Sequence, residues 1–233
     1  MKEFIPYVME PERYEERKFI DSPFVEIKPN EYFDVQMRYP LAGMKHAETG
    51  CYVRREVYEK LVSAAGMLPP GFRLRIWDAW RPFLLQEELY LLYSNDIIRR
   101  FGMEGSTEEE KRTLIHKFVS EPVDDSEVPP VHTTGGAVDL TIIDGAGREL
   151  EMGSLFDEFS DKTYTAYFED GEDEAVKDNR RMLYHIMTEA EFTNLPSEWW
   201  HFDYGDRFWA FYRKKPAIYR GVFTKEELYE TIR

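Results

Sequence analysis

His132 lies in the run Pro130-Val131-His132-Thr133-Thr134-Gly135-Gly136-Ala137-Val138-Asp139, and His201 closes Glu198-Trp199-Trp200-His201. Two imidazoles and one carboxylate, from His132, Asp139 and His201, are the donors that a catalytic zinc takes while keeping one position open. Glu198 adds a carboxylate just ahead of the second histidine, where it could act as a base. Of the five histidines in the chain, two fall inside these matched segments. Either segment alone fits a hydrogen-bonded histidine or an Asp–Arg pair; together they spell a metallohydrolase.

The elements around these residues must bring them together. Gly135-Gly136 after two threonines is a turn signal, and Ala137 to Ile143 reads as a strand rich in β-branched residues. Alternation puts Ala137, Asp139 and Thr141 on one face and Val138, Leu140 and Ile142 on the other. Asp139 is then the lone acid on its face, and a buried carboxylate among apolar neighbours needs a cation or donors. The glycine turn lets His132 fold back beside it. Trp199 to Tyr204 is aromatic enough to favour a strand. Within that strand Glu198 and His201 would have opposite parity, so Pro196 and Ser197 must hold Glu198 in a turn just before it. The helical His-Glu-x-x-His arrangement does not occur.

The pattern His132-x-x-Gly135-x-Ala137-x-Asp139 followed by Glu198-x-Trp200-His201 resembles the zinc-dependent D,D-peptidase superfamily. That group includes VanX-type D-alanyl-D-alanine dipeptidases, D,D-carboxypeptidases and hedgehog-like domains. The Trp199-Trp200 pair, Trp77-Asp78-Ala79-Trp80-Arg81-Pro82 and Met152-Gly153-Ser154-Leu155-Phe156-Asp157 resemble the dipeptidase branch in particular, and the similarity spans roughly residues 20 to 210. The resemblance implies one Zn2+ per chain held by His132, Asp139 and His201, with Glu198 as general base and acid. It also implies Arg81 steadying the scissile carbonyl and Asp157 holding the substrate ammonium. The implied substrate is a small dipeptide, D-Ala-D-Ala foremost, which connects the protein to peptidoglycan and the cell wall.

Zinc with three protein ligands lowers the pKa of a bound water towards about 7, and a positioned guanidinium is worth roughly 3 kcal/mol to a developing oxyanion in a dry site. On the residues alone, Arg81 reads rather as a structural ion-pair partner of Asp78 or of another of the many acids. Asp157 sits in an acidic, aromatic loop where Glu158 and Asp161 are alternative ammonium partners. One departure from the family stands out: Pro130 occupies the position that often holds Ser, two residues before the first ligand. Proline offers neither a side-chain donor nor a backbone N–H, which alters substrate contacts and leaves the metal donors untouched.

Two other readings use the same residues. A D,D- or L,D-carboxypeptidase acting on peptidoglycan stem peptides would need an open cleft and would accept N-blocked substrates. A non-enzymatic, zinc-stabilised binding module would have no use for Glu198 and Arg81, and a structural zinc is usually closed by a fourth protein ligand.

Composition bounds the rest. With 233 residues, 42% hydrophobic and 15% aromatic, the chain can build one sizeable α+β core and is short for two ordinary domains. The expected fold is a single domain over residues 1–233, hedgehog/D,D-peptidase-like, with a central antiparallel sheet, helices packed on it, and an irregular N-terminal arm over residues 1–50. A net charge of −15 with no basic run argues against nucleic acid. No apolar stretch approaches the roughly 18 residues of a membrane span, and Met1 to Tyr7 lacks a secretory h-region, so a cytoplasmic location is expected. Cys51 is the single cysteine and reads as a small core residue.

Helical spacing appears at 54–65, at 84–101 (Leu85, Leu89, Leu92, Ile97) and at 173–191, and Thr107-x-x-Glu110 opens a capping-box helix over 107–119. These stripes read as core with no chemical role, and His116 and His185 as structural. Residues 73–78 alternate as a strand leading to Arg81, which Pro82 confines to extended backbone. Residues 120–130 form an acidic, Pro-rich loop, and the charge run ending at Glu174 is solvated, without EF-hand spacing. Trp209, Phe211 and Tyr212 continue an aromatic core, and Thr224 caps a short final helix.

Overall fold

Ala137–Ile143, seven residues all buried, form the strand on which the molecule is centred. A computed structural model describes residues 3–125 and 128–232. Met1 and Lys2 of the N-terminal segment, and Ser126 and Glu127 of the 120–130 loop, lie outside the described residues. Among these the strands are β1 (Phe24–Glu26), β2 (Phe33–Val35), β3 (Tyr52–Arg54), β4 (Arg73–Asp78), β5 (Ala137–Ile143), β6 (Thr193–Asn194) and β7 (His201–Asp203). The helices are α1 (Arg38–Leu41), α2 (Arg55–Ala65), α3 (Phe83–Arg100), α4 (Glu108–Ile115), α5 (Glu174–Glu189), α6 (Arg207–Arg213) and α7 (Lys225–Thr231).

The main sheet runs β2-β4-β5-β7-β6, and β1 pairs with β3 apart from it. The β4–β5, β5–β7 and β7–β6 pairs are antiparallel. The expected mixed α+β fold on a largely antiparallel sheet is therefore present, with one refinement: edge strand β2 runs parallel to β4. A parallel pair needs a long crossover, and β3 with α2 supplies it. Val138, Leu140 and Ile142 enter one cluster with Val57, Leu61 and Ala64 of α2 and Leu183, Ile186 and Met187 of α5. Burying side chains of this size contributes roughly 1.5–3 kcal/mol each, and it fixes which face of β5 is left for Asp139. The parity expected from the sequence holds.

Helix ends follow local chemistry. Thr107 and Glu110 form the reciprocal capping box of α4, but α4 stops at Ile115 rather than Val119. The chain turns there so that Phe118 stacks on Phe101 and meets Phe159. In α3 the expected inward Leu92 is 48% exposed. Four residues after Leu89, Tyr93 takes the inward place, and its hydroxyl finds a partner there. Residues 207–213, expected only as aromatic core, form α6 because Asp206 caps it, accepting from Phe208 N and Trp209 N. Trp209 is buried, whereas Phe211 and Tyr212 are half-buried.

Within the expected irregular arm, regular structure begins at Phe24. The preceding chain is tied down at Ile5, whose N–H donates to Glu169, and at Met9, whose carbonyl accepts from Tyr212. Among the described residues no helix is long and apolar enough to cross a membrane.

Candidate metal centre and active site

Sheet register assembles the site. Asp139 lies opposite Asp78 on one side and opposite His201 on the other, so three ionisable side chains form a row across β4, β5 and β7. His132 arrives on a 3-10 turn, Val131–Thr134, that ends at Gly135 with φ 72°. That left-handed conformation suits glycine, and a Cβ there would meet the Phe24 ring at 2.2 Å. Glu198 occupies the turn before β7, as expected; its carbonyl accepts from His201 N–H at 3.1 Å. The strand itself is shorter than expected, because Trp199 and Trp200 belong to the turn.

The candidate ligand atoms of His132, Asp139 and His201 all lie within 4.8 Å of one another, and all three residues are buried. His201 Nδ1 is 3.0 Å from Asp139 Oδ1 and 3.2 Å from His132 Nε2. The outer ring nitrogens decide what these contacts mean. His132 Nδ1 faces the Ala79 carbonyl at 2.8 Å, and His201 Nε2 faces Asp203 Oδ1 at 2.8 Å. A carbonyl and a carboxylate accept protons, so both outer nitrogens donate and, in the neutral rings, both inner nitrogens present lone pairs. Two lone pairs 3.2 Å apart, beside a carboxylate, repel one another unless a cation lies between them. These residues therefore fit a zinc of the catalytic type, and they account for the buried Asp139 that the sequence left in need of a partner. Where the rings carry a second proton instead, His132 and His201 outweigh burial and hold the Asp139 carboxyl below the usual carboxylate range.

Arg81 is buried at the edge of this set. Its Nε and Nη2 donate to Asp78 Oδ2 at 2.9 and 2.7 Å, Nη1 donates to Gln86 Oε1 at 2.7 Å, and Nη2 lies 3.7 Å from Asp139 Oδ2. The structural reading of Arg81 is met by the Asp78 pair, and that pair holds the guanidinium beside Asp139. Glu198 Oε2 is 3.8 Å from His201 Nδ1. Burial pushes the Glu198 carboxyl up to about 8 against the pull of His201, and a bound divalent cation would draw it down again.

Asp157 faces the same cavity, whereas its neighbours Glu158 and Asp161 are tied up or turned elsewhere. Its Oδ2 accepts from Tyr93 at 2.7 Å and from Tyr39 at 3.1 Å. Its backbone is left-handed at φ 56°, uncommon outside glycine. The preceding Phe156 is wedged among Trp77, Tyr39 and Trp200. Burial raises this carboxyl to about 6.

Sequence reasoning missed several residues of the site. Asp203 orients His201, and strand parity was the available signal, since it lies two residues further along β7. In the sequence Asp78 reads only as an ion-pair partner for Arg81; its second contact, 3.4 Å from His132 Nδ1, is not legible there. Tyr39 came from a segment read as arm and Tyr93 from a stripe read as core, and no sequence pattern marks either.

A buried cation-demanding donor set with a carboxylate and a guanidinium beside it belongs to the metallohydrolase class. The model of peptidase family M15, described as D-ala-D-ala dipeptidase, matches residues 43–217, and the chain belongs to that family. It is 29% identical over 198 residues to a D-alanyl-D-alanine dipeptidase of Synechocystis sp. (strain ATCC 27184 / PCC 6803 / Kazusa), covering 79% of each chain. It is 26% identical over 161 residues to a D-alanyl-D-alanine dipeptidase of Escherichia coli (strain K12), covering 68% of this chain and 69% of that one. Among solved structures, a mutant of the vancomycin-resistance D,D-pentapeptidase VanY with Zn(II) aligns with 14% identity and a TM-score of 0.41, over 79% of this chain and 88% of that chain.

Proposed function

We propose that this chain is a one-zinc dipeptidase that cleaves D-Ala-D-Ala, with His132, Asp139 and His201 as ligands and Glu198, Arg81 and Asp157 as the working groups around them. The observation that carries the reading is the convergence of one buried ligand atom each from His132, Asp139 and His201 on one point, with the outer ring nitrogens of both histidines turned to acceptors. When bound, zinc would supply Lewis acidity that makes water nucleophilic near neutral pH.

The chain's own residues do the remainder. Glu198 takes the proton from the attacking water and returns it to the departing amine. Arg81, already fixed by Asp78 and Gln86, presents its guanidinium where negative charge grows on the carbonyl oxygen, so little reorganisation is needed at the moment of reaction. Asp157, which accepts from two tyrosine hydroxyls, would pair the substrate ammonium.

The inner cavity is small, about 60 Å³, with Tyr39, Arg81, Asp157 and the three ligands in its wall. Such a space supports a short substrate rather than a stem peptide crossing an open cleft. A free ammonium pairing with Asp157 gives the test: zinc-loaded protein should hydrolyse D-Ala-D-Ala and leave the N-acetylated dipeptide intact. Equal cleavage of both would remove Asp157 from its role and favour a carboxypeptidase. We also read residues 1–233 as one domain, because all the working groups depend on the single main sheet.

A further inference from the structure

Asp157 stands on chain without regular structure: between β5, which ends at Ile143, and the 3-10 turn Asp161–Thr163, there is no helix or regular strand. An arginine that does not line the inner cavity holds this loop. Arg180 of α5 is 2% exposed. Its Nε donates to the Met152 carbonyl at 2.7 Å, Nη1 to that of Tyr164 at 2.6 Å and Nη2 to that of Lys162 at 2.6 Å. Met152 lies five residues before Asp157 and Lys162 five after it, so one planar fork grips both stems of the loop. The guanidinium also lies over the Phe168 ring at 4.7 Å and the Trp199 ring at 5.6 Å. Trp199 stitches the same loop to the turn bearing Glu198: its N–H donates to the Thr163 carbonyl at 3.0 Å and its Nε1 to Ser154 Oγ at 2.9 Å. We propose that Arg180 is a positioning residue for Asp157, setting the distance from the ammonium-pairing carboxylate to Glu198 that a substrate must match. The inference rests on the dipeptidase reading and deepens it by naming what fixes the substrate's length.

The surroundings of Arg180 favour this over plain packing. Its hydrogen bonds go to main-chain carbonyls, and among the described residues no carboxylate forms an ion pair with it. A buried charge without an acid is costly, and burial lowers this guanidinium to about 9. An apolar side chain would fill the space at less cost, but a rigid fork of N–H groups is what can span three carbonyls at once. Phe156 wedges the tip of the loop, and Tyr39 and Tyr93 hold one carboxylate oxygen, but neither tyrosine touches the stems. Gly153, left-handed at φ 81°, presses close enough to Phe168 that a Cβ would meet the ring at 2.5 Å. Glu198 is held separately, its carbonyl accepting from Asn194 Nδ2 at 3.1 Å. Loosening Arg180 therefore displaces Asp157 before it displaces Glu198.

The test uses zinc-loaded wild type, Arg180→Met, Arg180→Lys and Ser154→Ala, with Arg180→Met also placed in Asp157→Asn. Arg180→Met should raise KM for D-Ala-D-Ala roughly tenfold with kcat within about threefold. Arg180→Lys, which reaches fewer of the carbonyls, should recover part of the loss, and Ser154→Ala, which removes a tie on the same loop, should raise KM about twofold. In Asp157→Asn the Arg180→Met change should add nothing to KM. An equal rise in that background, or an unchanged KM in the Arg180 variants, would overturn the proposal; Arg180→Lys and Ser154→Ala carry the same comparison if Arg180→Met does not fold. Carbon-13 NMR of the Asp157 carboxyl in metal-free protein reads the positioning without the reaction. Tyr39, Tyr93, Arg81, Asp139, Glu198, Lys117 and Glu158 share its cavity walls, and burial raises it to about 6 in the wild type. A released loop admits water, so the value should fall below about 5 in the Arg180 variants; a value that stays in place would overturn the positioning role. If wild type cleaves no dipeptide, the proposed function fails, yet a falling value would still support the clamp and an unmoved one would dismiss it.

Discussion

Asp203 offers a sharp perturbation because it is fully buried, touches no substrate position in the inner cavity, and acts through His201. Its Oδ1 sits 2.8 Å from His201 Nε2 and fixes the tautomer whose Nδ1 lone pair faces the metal position. Its other oxygen and Oδ2 of Asp206 are buried without an ordinary donor. Burial and the neighbouring Asp203 push the Asp206 carboxyl well above its usual range, so one proton held between the two carboxyls satisfies both. Removing partners of this kind from a metal-bound histidine costs about 10–100-fold in metal affinity, or roughly 1.4–2.7 kcal/mol. Asp203→Ala removes acceptor and charge together and belongs near the upper limit, about 100-fold. Asp203→Asn keeps an acceptor oxygen and loses the charge, and belongs near the lower limit, about tenfold. Competition for zinc against a chromophoric chelator at neutral pH reads the affinity, and circular dichroism of the metal-free proteins confirms that they are folded. A folded Asp203→Ala protein that binds zinc as tightly as wild type would refute the claim that His201 is a ligand oriented from behind.

Other substitutions separate the working groups. Glu198→Gln should keep one zinc per chain by mass spectrometry while kcat falls roughly 10²–10⁴-fold; loss of zinc instead would make Glu198 a ligand. Arg81→Lys should cost roughly 10²–10³-fold in kcat, because a lysine cannot hold Asp78 and Gln86 and still face the site; near-normal turnover would leave Arg81 purely structural. The Asp157 carboxyl, raised to about 6, must be ionised to pair an ammonium, so kcat/KM for a free dipeptide should fall as pH drops through about 6. In Asp157→Asn that limb should vanish at a higher KM; a persisting limb would assign it to another group. The same raised pKa means that the folded state holds the proton more tightly than the unfolded chain does. Ionised Asp157 therefore costs stability, a cost absent below about 3.8, growing towards about 6 and full above it. Metal-free Asp157→Asn should accordingly be more stable at neutral pH, by up to about 3 kcal/mol in denaturant melts.

The sequence made the short-range parts of this architecture legible. β5 was visible in its β-branched run, α2 and α5 in their apolar spacing, and α4 in its capping box, because each depends on neighbours along the chain. The three ligand candidates and Glu198 were legible because turn chemistry at Gly135 and Pro196 confines them locally. The Asp78–Asp139–His201 row was not, since it depends on the register of three strands far apart in sequence. Tyr93 was hidden for a different reason: helical spacing alone could not choose between it and Leu92 for the inward face of α3, and the partner that decides, Asp157, lies on another segment. Parallel pairing of β2 was likewise invisible, because three residues, one buried and two half-buried, carry no mark of strand direction.

The most direct measurement is free D-Ala released from D-Ala-D-Ala by zinc-loaded protein, with metal-free protein and zinc-loaded Glu198→Ala alongside. Release by the zinc-loaded wild type, and by neither control, is the expected result and would join the metal, the base and the substrate in one assay. Release that persists without zinc or without the Glu198 carboxylate would contradict the account, as would silence from a fully metallated wild type.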